Sequence, residues 1–195
     1  MNNEHQPIFY YPSHFTNFQD QQVLTIDFGY KQGNLVSDEK TINKLVTIME
    51  RIFNENSYIF VISCLDKDMV TIREDLSHFD LLNHVNSIEP YGHIHTLQYR
   101  IPKERLWEFL QYTWKGEYEY DIWLYSPKEE VSFDLAKFYP TNQSCLSETI
   151  ILLKKLDYIL VRDMDGLYVH ILFSKDKKDS FISRISDLHS ITNEY

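Results

Sequence analysis

A chain of 195 residues with 43% hydrophobic and 25% charged positions can bury a core without disulfides or metals, which excludes a disordered chain or a disulfide-stapled miniprotein. Its 29 acidic against 19 basic residues leave a formal charge of −10, which argues against a phosphate-backbone binder and towards a cationic macromolecular partner. No apolar run reaches membrane-spanning length, and no basic region leads into an apolar one at the start, so the expectation is a cytoplasmic protein without a secretory signal.

In that compartment Cys64 and Cys145 read as free thiols. Five glycines and six prolines leave little linker material. The expected organisation is an N-terminal arm over 1–22 and a single compact domain over 23–195, with a candidate subdomain boundary near 139–143. Fourteen tyrosines and twelve phenylalanines fit either a thick aromatic core or a recognition surface.

Residues 1–22 are polar with scattered aromatics (Phe9, Tyr10, Tyr11, Phe15 and Phe18), which predicts a partly irregular arm pinned by its rings. Residues 23–28 read as a first strand and 29–33 as a turn. Ser37 or Asp38 can cap a helix over 39–55, whose apolar stripe is Ile42, Leu45, Val46, Met49, Ile52 and Phe53. Residues 54–57 end it. The run 58–64 is nearly all apolar, as in a central strand covered on both faces. Asp66-Lys67-Asp68 suggests a turn into a short partner strand at 69–72, and 73–91 reads as short helix or loop.

The densest signals lie in 91–125. Strand alternation over 92–100 places His93, His95, Leu97 and Tyr99 on one side and Ile94, Thr96 and Gln98 on the other. Pro102 opens a helix in which Leu106, Phe109, Leu110 and Thr113 recur at helical spacing, flanked by Trp107 and Trp114. Lys115-Gly116 reads as its stop. A strand over 117–125 would put Tyr118, Tyr120, Ile122 and Leu124 on one face, with Glu117, Glu119, Asp121, Trp123 and Tyr125 on the other.

Residues 119–125 and 130–135 look like a hairpin, and 139–142 like a break. A helix starting at Ser144 or Ser147 carries Leu146, Ile150 and Leu153. Strands over 156–162 and 167–173 flank a turn at Asp163-Met164-Asp165-Gly166, and a last helix near 180–190 turns Phe181, Ile185 and Leu188 inward. The pattern predicts an α+β fold, with a mainly antiparallel or mixed sheet of seven or eight strands and about four helices packed on it. The early and late element orders match too loosely to define a repeat.

Few residues suggest chemistry. His93 and His95 lie one pleat apart and could reach a common ion if His84, His170 or Asp121 supplied a third ligand, but such a pair on a strand is commonly structural. Cys64 or Cys145 beside a histidine could form a thiolate, which needs a basic environment that neither shows locally; Cys145 does lie near a helix start. Asp163-x-Asp165-Gly166 lacks the later ligands of a calcium loop and reads as a hairpin turn. There is no phosphate loop, nucleophile elbow, zincin pair or kinase set, so no cofactor, metal or catalytic residue is assigned.

Glu117, Glu119 and Asp121 form an acidic row beside Trp123 and Tyr125, the mixture of charge and aromatic area that interfaces favour. These five are the candidate partner-binding residues. In its acidity and its lack of motifs the chain resembles the small intracellular immunity proteins of bacterial toxin systems. That resemblance implies an inhibitor that occludes a basic protein partner, without nucleic acid or membrane, and is compatible with a homodimer. The alternatives are a metal-dependent hydrolase using His93 and His95, and a structural or assembly subunit.

Overall fold

The computed structural model describes residues 8–10, 21–27, 30–31, 34–35, 39–86, 94–114, 123–126, 158–162 and 168–186. In chain order these form β1 (Ile8–Tyr10), β2 (Gln21–Asp27), β3 (Tyr30–Lys31), β4 (Asn34–Leu35), α1 (Glu39–Phe53), β5 (Ser57–Leu65), α2 (Asp66–Asp75) and β6 (Asp80–Asn86). There follow β7 (Ile94–Pro102), α3 (Leu106–Trp114), β8 (Trp123–Ser126), β9 (Tyr158–Arg162), β10 (Tyr168–Ser174) and α4 (Lys178–Ile185). Eight strands make one sheet in the order β1-β2-β10-β9-β8-β5-β7-β6, with β3 and β4 as a separate ribbon. Every described pairing is antiparallel. The fold is α+β, with four described helices.

The register explains the core. Leu24, Ile171, Leu160, Tyr125, Phe60 and Tyr99 fall in one row across six strands. Its members Leu24, Ile171, Leu160, Phe60 and Tyr99 belong to the same buried cluster as Leu45, Met49 and Ile52 of α1, Phe109 of α3 and Phe181 of α4. Alternation sends Ile59, Val61, Ile159 and Val161 to the other face, where they too are buried. The apolar run 58–64 therefore sits inside the sheet, between β8 and β7, as its composition predicts.

Aromatic rings knit the helices to the strands. Phe109 meets Phe60 at 4.5 Å and Phe79 edge-on at 5.1 Å, while Phe181 stacks on Phe173 at 4.4 Å. Phe53, at the end of α1, touches both Tyr58 and Tyr158 edge-on and so joins the two groups. Arg184 of α4 donates to the Ile52 carbonyl, one of the carbonyls a helix end leaves open. Asn54 then leaves α1 at φ 49, the left-handed exit that asparagine tolerates, with its N–H on the Glu50 carbonyl at 3.0 Å.

β7 and β10 each pass through one 3-10 turn (Lys103–Arg105, Lys175–Lys177) into a helix. Counted from those turns, Phe109 matches Phe181 and Thr113 matches Ile185, all buried. Yet β5 and β9 are both antiparallel to β8 and lie on opposite sides of it, with β7 and β10 outside them. A rotation in the plane of the sheet cannot superpose the two hairpins with both helices on one face. The likeness is local, and no repeat is defined.

Some local expectations give way. The stretch 69–72, expected as a strand, lies in α2. On a strand Val70 and Ile72 would share a face; on a helix they lie about 200° apart, and Val70 is 59% exposed while Ile72 is fully buried. Within 73–91, expected as helix or loop, residues 80–86 are strand β6, paired to β7 with a register shift between Leu81 and Asn83. The arm contributes β1, where Phe9 pairs with Ile26. Ser126, just past the expected hairpin strand over 119–125, still belongs to β8. The expected hairpin strand at 130–135, the break at 139–142, the helix from Ser144 or Ser147 and the turn at 163–166 lie outside the described residues.

Candidate functional site

β5 runs into α2 with no intervening loop: Leu65 ends the strand and Asp66 begins the helix. At that end of the sheet Cys64 is the Cα partner of His95, and Leu65 that of Ile94. The junction brings Asp66 against His95, whose Nε2 hydrogen-bonds the Asp66 Oδ1. The imidazole is buried, whereas the Asp66 side chain is 52% exposed. A carboxylate only accepts, so Nε2 donates. Asp66 is 29 residues from His95 in the chain, and nothing in their spacing indicates the pair. Only the register of β5 against β7 makes it.

Of the other residues proposed as ligands with His95, His170 does not approach it. His170 lies on β10 with Nδ1 3.0 Å from the Thr25 hydroxyl. Its row, through Thr25 and Val161, alternates with the row of Ile171 and Leu160, so His170 and His95 occupy opposite faces of the sheet. His84 lies on β6 as the register partner of Leu97. His93 and Asp121 fall outside the described residues. Among the described residues, no group of three or more His, Cys, Asp or Glu could hold a metal ion.

Of the candidate partner-binding residues, Trp123 and Tyr125 lie on β8, hydrogen-bonded on both sides between β5 and β9. Trp123 is in register with Ile62 and Arg162, and Tyr125 with Phe60 and Leu160. Glu117, Glu119 and Asp121 lie outside the described residues.

A second polar cluster joins the segment after α2 to α3. Arg105 donates to the Glu108 carboxylate from Nε and Nη2, both at 3.2 Å, and from Nη1 to the His78 carbonyl at 2.8 Å. Its guanidinium lies 4.2 Å over the Phe79 ring, and His78 Nε2 is 3.3 Å from Glu108. The hydrogen bond from Arg105 holds the Glu108 carboxyl below its ordinary range. Tyr112, 47% exposed, meets His78 edge-on at 5.3 Å. The arrangement clamps Phe79 against Phe109 and is structural.

No helix among the described residues is long and apolar enough to cross a membrane. Comparison with protein-family models, curated proteins and solved structures finds no match.

Proposed function

We propose that this protein is an acidic protein-binding module that blocks a cationic partner, in the manner of an inhibitor or immunity protein acting on a basic toxin. The observation that carries the reading is the formal charge of −10 in a chain that folds around an ordinary hydrophobic core. Such a charge steers a basic partner into encounter and raises on-rate and specificity more than affinity. The acidic row Glu117, Glu119 and Asp121, next in sequence to Trp123 and Tyr125, is the proposed contact. On α2 the exposed Val70 is accompanied by exposed Asp66, Lys67, Glu74 and Asp75, a surface with more acidic than basic groups.

The experiment is capture from the native cell extract, identification of the bound protein, and titration of the purified pair at low and high salt. A cationic partner whose association slows with salt, and which is lost on charge reversal of Glu117, Glu119 and Asp121, supports the reading. A partner bound equally well by the charge-reversed variant sinks the proposed contact. Salt-independent binding sinks the steering.

A further inference from the structure

Both faces of the sheet are buried, but the described helices account for only one of them. Ile42, Ile72, Phe109 and Phe181, one from each helix, share a single cluster with Leu24, Phe60, Leu160 and Ile171. The alternate row, Thr25, His170, Val161, Leu124, Val61 and Gln98, crosses six strands on the opposite side. On that side Val23, Ile59, Val61, Ile159, Val161 and Leu172 are each 5% exposed or less, and none of them belongs to the helix-bearing cluster. An antiparallel sheet commonly leaves its second face to water. This one carries aliphatic side chains there and buries them.

The strand order shows where cover can come from. β8 and β9 are antiparallel neighbours in the middle of the sheet, so the chain leaves Ser126 and returns at Tyr158 at the same end of two adjacent strands. A hairpin across that gap needs only about two to five residues. This connection has 31, residues 127–157, which lie outside the described residues. Every other stretch outside them is ten residues or fewer. Within 127–157, Leu146, Ile150 and Leu153 recur at helical spacing, and that spacing sets Glu148 and Lys155 on the opposite side.

We propose that the β8–β9 connection, residues 127–157, is the occupant of the second sheet face, with Leu146, Ile150 and Leu153 seated on Ile59, Val61, Ile159 and Val161. Both sides of this contact are aliphatic. The connection starts and ends beside those four residues, on β8 and β9 next to β5, whereas the stretches 11–20 and 87–93 join strands at the sheet edges. The fold is then three layers: the helices α1 to α4, the sheet, and the β8–β9 connection. A partner protein accordingly meets the outer surfaces of the layers or the edges of the sheet, not a bare sheet face. The inference holds whether or not that partner is cationic, and stands or falls separately from charge-steered docking.

The test is methyl NMR on the full wild-type chain with its Ile, Leu and Val methyl groups labelled. Nuclear Overhauser contacts from Ile150 and Leu153 to Val61, Ile159 or Val161 are expected. Contacts from Ile150 and Leu153 to Leu45 or Ile52 of α1 instead, or to neither face, overturn the proposal. A sample mixing differently labelled chains identifies a second copy as the occupant: contacts to Val61 that arise only between chains also overturn it. Ile150→Asp gives an independent reading. Its urea midpoint should fall well below that of the wild type, while Glu148→Gln, on the far side of the stripe, leaves the midpoint in place. Equal midpoints in the two variants overturn the seating of Ile150 on the sheet.

Discussion

The hydroxyl of Tyr58 offers the sharpest test of the core. Tyr58 is 1% exposed, its ring lies edge-on to Phe53 at 6.1 Å, and its hydroxyl has no hydrogen-bond partner among the described residues. Burial, reinforced by the charges of Glu50 and Glu55, pushes the phenol up to about 12 from 10.0. Tyr58→Phe removes an unsatisfied buried polar atom, whose burial costs about 1–3 kcal/mol, and leaves the ring packing intact. At pH 7 the variant should therefore be more stable by roughly 1 kcal/mol.

The effect grows with alkali. Between pH 10 and 12 the unfolded chain has released the phenolic proton and the folded chain has kept it, so rising pH favours unfolding of the wild type alone. At pH 11 that difference is worth about 1.3 kcal/mol on top of the neutral-pH gap. Urea titrations of both proteins at pH 7, 9 and 11, with equal slopes, measure it. A variant less stable than wild type at pH 7, with a gap constant to pH 11, refutes the reasoning, because the hydroxyl would then be satisfied and its pKa ordinary.

Phe109→Ala should cost about 3–5 kcal/mol, because it empties the space between Phe60, Phe79 and Tyr99; a loss below 1 kcal/mol by urea titration would mean that α3 is not seated there. Asn54→Val should cost about 1–2 kcal/mol and Asn54→Gly little, since φ 49 penalises a β-branched residue and not glycine; equal losses by thermal melting would contradict the left-handed exit. Glu108 has a lowered folded pKa, so its contribution is present above its ordinary 4.5 and is lost as pH falls through the lowered value. Glu108→Gln should accordingly flatten the acid limb of stability between 4.5 and that lowered value, and parallel limbs in the two proteins would refute the Arg105 contact.

What the sequence by itself determined is whatever depends on near neighbours in the chain. The stripe from Ile42 to Phe53, the apolar run of β5, the Pro102-led helix and the alternation around Arg162 and Val169 each carry their own periodicity, and each folds as that periodicity requires. Alternation alone also put His95 on one side with Leu97 and Tyr99. Tertiary structure decided the rest. Val70 and Ile72 fit a strand as well as a helix until Leu76 and Phe79 had a core to enter. The segment forming β6 shows no clean alternation and is a strand because β7 offers it an open edge. The pairing of His95 with Asp66, and the register that sets Cys64 opposite His95, depend on how two strands slide past each other. Registry between strands is set by which faces become buried together, and that is a property of the assembled sheet, absent from any one segment of the chain.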